Sequence, residues 1–321
     1  MAEPQADVAP HTSGTSSTSG SNAPQYHPSF SSPDAEIVFL SDDGVLFRVH
    51  RVVLQLGSGF FNGMLEMPRD ADEALNNPPI LIRDNSNVFA ALLDIIYPHR
   101  QPPELDSLDF ALQILQTAEN YEMHKVTEIV KCIIKSRLDF FLQQPIELYN
   151  IATRYGWEDV AKVASTETLT INLHDPTMSE SVKRLESVPL WQLVDLHWRR
   201  RRTFIGALNI QPTTGPTCNI VWKNIINWAT SCPQNIGYNS HFWKGNVDIA
   251  PVLILKRLLA EAVDLEPWGG AIRQRSFLDK EDLADMWTHK CADATCRQVV
   301  FSKDRLHTEL LRVLDLLPST I

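Results

Sequence analysis

The fold is decided by residues 36 to 54, Glu36-Ile37-Val38-Phe39-Leu40-Ser41-Asp42-Asp43-Gly44-Val45-Leu46-Phe47-Arg48-Val49-His50-Arg51-Val52-Val53-Leu54. Ile37 to Leu40 is a short apolar run of β-favouring residues, and Val45 to Val49 is a second. Asp43-Gly44 between them is a tight-turn dipeptide. The spacing predicts a hairpin. After His50 the pattern becomes helical, with Val52, Val53 and Leu56 at helical spacing. Gly57-Ser58-Gly59 stops that helix, and a second short one runs from Phe60-Phe61 to Met64-Leu65. A hairpin followed by two short apolar helices predicts an α+β unit, with helices on one face of a small sheet.

Downstream, Pro78-Pro79 leads into Ile80-Leu81-Ile82, a third strand. Asn85 or Asn87 caps a helix that buries Val88, Leu92, Ile95 and Ile96 and stops at Tyr97-Pro98. Further helices are predicted from about Ser107 to Glu122 and from Val126 to Leu138. Pro145 suits a first helical position and Gly156 a C-terminal cap, with a partner helix from Trp157 to about Thr168. Another helix begins at Pro189 and carries Leu190, Leu193, Val194, His197 and Trp198. In the last third, helices are predicted near 219–230, 248–263, 279–290 and 295–317, around an aromatic loop from Pro233 to Gly245. The reading divides the chain into a disordered tail (1–33), the α+β unit (34–140), a helical extension (141–208) and a helical C-terminal domain (209–321).

The tail is Ser, Thr, Gly, Pro and Ala with little to bury, which predicts disorder. The N-terminus lacks the basic and apolar regions of a secretory signal, and no apolar run approaches the roughly 18 residues of a membrane span. Five scattered cysteines therefore read as reduced thiols in the cytoplasm or nucleus. Net charge is −10, and residues 34–140 carry 17 acidic against 9 basic side chains. That balance argues against a nucleic-acid face there and favours basic protein partners.

Asp43-Gly44, Phe47-x-Val49-His50-Arg51, Leu54 and Ser58-x-x-Phe61 resemble the opening of a BTB/POZ domain in order and spacing. The longer pattern is similar to BTB proteins of basidiomycete fungi. The resemblance implies a protein–protein interaction module that binds another BTB chain or acts as an adaptor for a cullin-3 ubiquitin ligase. Adaptor domains commonly place a hydrophobic residue and then a Glu after the second helix; here Arg69 and Ala71 occupy those places, behind Pro68. The tail contains no helix of the kind that long-form members swap between subunits.

No nucleophile elbow, phosphate-cradling loop or zinc-protease motif is present, which argues against an enzyme. His50 is expected to close the strand structurally. Cys218, Cys232, Cys291 and Cys296, with His241 and His289 nearby in sequence, are candidate ligands of a structural zinc; the alternative is small buried apolar cysteines. Related fungal proteins carry paired cysteines at both places, and here the first pair is spread apart. Cys132, inside an apolar helix, reads as core. Arg199-Arg200-Arg201-Arg202 reads as a solvated run near a helix C-terminus; the alternative is a nucleic-acid patch in a transcription-associated BTB protein.

Overall fold

The structure is a computed structural model and describes residues 25–68, 78–208, 220, 225, 250–291 and 297–321. The chain forms two compact units, residues 1–104 with 110–130, and residues 105–109 with 131–321.

The first unit is built on the hairpin. Strands β1 (Gln25–Tyr26), β2 (Ile37–Leu40), β3 (Val45–Val49) and β4 (Ile80–Leu81) form one sheet in the order β1-β3-β2-β4. β2 and β3 are antiparallel, with Ile37 opposite Val49 and Phe39 opposite Phe47. All four of those side chains are buried, so one face of the hairpin makes the core, as the two-residue period of a strand requires. Gly44 sits at φ +83°, in the left-handed region that favours glycine. Ser41 braces the same turn, its hydroxyl donating to the Val45 carbonyl and accepting from the Val45 N–H, both at 3.0 Å. The outer strands β1 and β4 pair parallel to β3 and β2.

Helices α1 (Arg51–Gly57), α2 (Gly59–Glu66) and α3 (Ser86–Ile96) follow the hairpin. Phe39 meets Phe61 and Phe89 edge-on at 5.3 and 5.2 Å, and Phe47 meets Phe89 at 5.2 Å. Edge-to-face aromatic packing of this kind adds about 0.5–1.5 kcal/mol per pair beyond the burial itself. Asn85 caps α3, its side chain accepting from Asn87 N–H. Within α3 the buried line is Val88, Phe89, Leu92 and Leu93, while Ile95 and Ile96 are half-buried. Two longer helices, α4 (Leu108–Asn120) and α5 (His124–Ser136), each begin in one unit and end in the other.

Two expectations for this region are corrected. Residues 25–33 were assigned to the polar tail, yet they pack on the sheet. His27 stacks on Phe47 at 5.0 Å, Phe30 is buried, and the Arg100 guanidinium lies 4.3 Å over the Phe30 ring. Three rings, Tyr26, His27 and Phe30, sit within five residues, and the average composition of the tail conceals them. Within α1 the buried residue is Leu54, whereas Val52 and Leu56 point to solvent. A seven-residue helix with apolar side chains on both sides can turn only one of them to the core.

The second unit is helical: α6 (Leu138–Phe141), α7 (Pro145–Arg154), α8 (Glu158–Glu167), α9 (Ser179–Lys183), α10 (Ser187–Ala207), α11 (Ala250–Leu265), α12 (Gly270–Arg273), α13 (Ala284–Thr288) and α14 (Lys303–Asp315). Gly156, at φ +67°, turns the chain between α7 and α8. Phe204, Leu255, Leu259, Leu278, Leu306 and Leu310 belong to one core with Ile220 and Ile225. Pro189 stands in the first turn of α10, where a missing N–H costs nothing.

The helix expected over 279–290 is instead two 3₁₀ turns, Arg275–Asp279 and Glu281–Leu283, followed by α13. The helix expected over 295–317 starts at Lys303, capped by Ser302. Upstream of it Val299 bridges Lys290, and Val300 N–H donates to the His289 carbonyl at 2.9 Å. Val299, Val300 and Phe301 favour such extended pairing. The predicted loop from Pro233 to Gly245 lies outside the described residues, as does the helix near 219–230 apart from Ile220 and Ile225.

Candidate interaction surface

The eight motif residues form a frame. Asp43 accepts from Ser86 N–H at 3.0 Å and from the Ser86 hydroxyl at 2.5 Å, tying the hairpin turn to the first turn of α3. Burial works to raise its carboxyl, but hydrogen bonds from Ser41 and Ser86 outweigh it and hold the group below the usual range. The Tyr97 hydroxyl accepts from His50 N–H at 2.9 Å and lies 3.0 Å from His50 Nδ1. In the tautomer that carries its hydrogen on Nε2, that N–H faces the Asp34 carboxylate at 3.2 Å and Nδ1 accepts from the phenol. The Ser32 hydroxyl, and after it His50, hold the Asp34 carboxyl down at about 2. At the end of the strand, His50 is thus held by a partner 47 residues away.

Arg51 N–H donates to Glu36 at 2.9 Å, and its guanidinium donates to the Leu65 carbonyl at 2.7 Å, closing the end of α2. Ser58 caps the start of α2, accepting from Phe61 N–H at 3.0 Å while its hydroxyl donates to the Tyr121 carbonyl at 2.6 Å. Phe61 stacks on Tyr121 at 4.7 Å. The Tyr121 hydroxyl donates to Asp84 at 2.5 Å, and burial with that carboxylate pushes the phenol well above its ordinary range. Leu54, Phe47 and Gly44 complete the set as two core residues and one turn.

What these residues hold outward is apolar. Val52 is 58% exposed and Leu56 79% exposed, one helical turn apart on the outer side of α1. Phe60 follows at the start of α2, partly exposed and resting on Tyr121. Met67 and Leu81 of the same unit are also exposed. Single exposed hydrophobics are ordinary; Val52 and Leu56 stand apart in lying one turn apart on the same helix. Arg69 and Ala71 lie outside the described residues.

Three members of the arginine run, Arg199, Arg201 and Arg202, are exposed as the solvated reading expects, and Arg200 is the exception. Arg199 pairs with Asp195 at 2.7 Å, Arg201 pairs with Asp264 on α11, and the Arg202 guanidinium lies 5.0 Å over the Trp198 ring. Arg200 is buried, 1% exposed, and donates to the carbonyls of Pro267, Leu314, Leu317, Pro318 and Trp268. A helix period of 3.6 forces one of four consecutive residues towards the core, and here that residue is charged.

Of the four zinc candidates, Cys218, Cys232 and Cys296 lie outside the described residues, as does His241. Cys291 packs against the C-terminal core and its N–H donates to the Gln298 carbonyl at 2.9 Å. Among the described residues no cluster of three or more His, Cys, Asp or Glu side chains is placed to hold a metal. Cys132 is exposed, not buried, because it lies off the Val126, Val130 and Ile134 line of α5. No described helix is long and apolar enough to cross a membrane.

No curated protein matches the chain. The family model of the BTB/POZ domain matches residues 30–166, from the buried Phe30 through the hairpin and α1–α5 into α8. Over residues 30–166, therefore, this chain carries a BTB/POZ domain, a protein–protein interaction module.

Proposed function

We propose that the chain acts by docking another polypeptide on the outer face of α1 and α2. The supporting observation is the outward pair Val52 and Leu56, held in place by a frame whose polar groups are already satisfied from within. Covering an aliphatic side chain fully is worth about 1.5–3 kcal/mol, enough for two or three such residues to anchor an interface. The occupant is another BTB chain, or the N-terminal domain of cullin-3 in a ubiquitin-ligase adaptor. The acidic surplus of residues 34–140 favours a basic rim on that partner. In this reading the protein works in the cytoplasm or nucleus and makes or breaks no covalent bond. A transcription-associated role through Arg199 to Arg202 has weaker support, since each of those side chains already has an intrachain partner.

The test is light scattering on the whole chain, together with capture by purified cullin-3 N-terminal domain, for the natural protein and for Leu56→Asp. The expected outcome is self-association or capture in the micromolar range, weakened at least about tenfold by the substitution. Neither event at tens of micromolar would remove this reading.

A further inference from the structure

The apolar pair on α1 has carboxylates at both ends, and one of them stands where the backbone asks for glycine. α4 closes with Glu122 N–H donating to the Glu119 carbonyl at 3.1 Å and Met123 N–H to the Ala118 carbonyl at 2.8 Å. The residue at such a helix end is left-handed, and it is usually glycine. Here it is Glu122, at φ +53°. Its carbonyl accepts from Gly59 N–H at 3.3 Å, and its side chain lies against the start of α2. A Cβ on Gly59 would stand 3.3 Å from the Glu122 Cβ and would collide with its carboxylate. Gly59 thus leaves room for a carboxylate that Glu122 carries on a strained backbone. A helix N-terminus favours such a charge. Ser58 already caps α2, however, so the carboxylate is not needed for that. What it does is stay exposed, next to the partly exposed Phe60.

At the other end, Glu36 accepts from the N–H of Arg51, the first residue of α1, at 2.9 Å. Asp34 faces His50 just before it. Both carboxylates are exposed. Val52, Leu56 and Phe60 follow one another between these two acidic ends. Within α1 and α2 the one cation is Arg51, and its guanidinium is turned to the Leu65 carbonyl. A second copy laid on this face meets acid with acid in either direction, because both ends carry the same sign. An isologous contact therefore sets like charges together, which opposes association. A segment with an apolar centre and Lys or Arg on both flanks meets the opposite charge at each end.

Resting on the docking reading above, we propose that the α1–α2 face takes a helical segment of a different protein, apolar in the middle and basic at both ends, and turns away a second copy of this chain.

The probe is a synthetic helical peptide with two leucines one turn apart between pairs of lysines, beside a twin with glutamates in place of the lysines. Fluorescence anisotropy with the whole chain should give a Kd of order 100 µM for the lysine peptide, and binding at least about tenfold weaker for the twin. Raising the salt from ~0.05 to ~0.5 M should bring the twins within about threefold. Glu36→Gln with Glu122→Gln, which keeps each acceptor oxygen, should do the same. Leu56→Asp should weaken the lysine peptide about tenfold. Mere attraction to an acidic protein would instead be strengthened by that added charge. Thermal melts establish that each variant is folded.

A lysine peptide that binds Leu56→Asp as tightly as the natural chain overturns the proposal. So does a preference that survives the two glutamine exchanges. Equal binding of the twins, lost in Leu56→Asp, overturns the charge selection and upholds the docking reading. Micromolar self-association of the natural chain, abolished by Leu56→Asp, does the same. Silence from both peptides at about 500 µM also overturns the proposal, while cullin-3 capture still scores the docking reading.

Discussion

Replacing Arg200 by Met keeps the length and apolar stem of the side chain while deleting its donors. The guanidinium holds three kinds of backbone together: the loop at Pro267 (2.7 Å), the end of α14 at Leu314 (3.2 Å), and the C-terminal segment at Pro318 (2.8 Å). The Leu317 and Trp268 contacts, at 3.3 and 3.5 Å, are too long to count fully. Its cationic face also lies 5.1 Å from the Trp268 ring. Leaving a buried carbonyl without its donor costs about 1–3 kcal/mol. Three acceptors at the lower half of that range give about 3–6 kcal/mol. For a unit of this size each kcal/mol moves the midpoint by about 2–4 °C, so a fall of about 10 °C is expected. Calorimetry on the whole chain should show it in one transition, with that of the sheet-containing unit in place. Arg200→Lys, one charge without the fork, should fall between the two. If Arg200→Met moves the midpoint no more than the surface control Arg199→Met, the clasp contributes nothing and the reasoning is wrong.

Three further outcomes follow from the same contacts. Ser58→Ala removes both the α2 cap and the tie to Tyr121, and should cost about 2 kcal/mol by chemical denaturation, against a few tenths for the exposed Ser187→Ala. Tyr121→Phe leaves Asp84 with one of its two side-chain donors, and should cost about 1.5–2 kcal/mol while leaving the circular dichroism spectrum unchanged. His197 is depressed to about 4, first by burial and then by His174 and Arg200. The unfolded chain, titrating near the ordinary 6.5, therefore binds the proton first as pH falls. The stability is complete above pH 6.5 and drains away towards pH 4, by about 2 kcal/mol at pH 5. Denaturation at pH 7 and pH 5 should show this loss in the natural chain and not in His197→Gln.

The hairpin was legible residue by residue because three local signals agree there: two β-favouring runs, a turn dipeptide and a change of period. The cap Asn85 and the first helical residue Pro145 were legible for the same reason, each acting within one turn of its own position. What the sequence concealed is long-range. Nothing near His50 announces Tyr97, and nothing near Ser58 announces Tyr121. The outward direction of Val52 and Leu56 could not be told from a core-facing one, because periodicity shows that a face is apolar without showing what lies against it. In the arginine run the solvated reading failed at Arg200 alone, because composition suggested solvent where geometry required one member inside.

The short segment at residues 25–33 also has a practical consequence for anyone shortening this protein. The His27 N–H donates to the Leu46 carbonyl at 2.7 Å, and the Phe30 carbonyl accepts from the Arg48 N–H at 2.8 Å, so this ribbon occupies the free side of the hairpin. A truncation placed at residue 34, where the hairpin motif suggests the domain begins, would strip that side bare. The freed backbone groups would then offer a template to any passing extended chain, and the trimmed protein is expected to precipitate even though every motif residue is still in place.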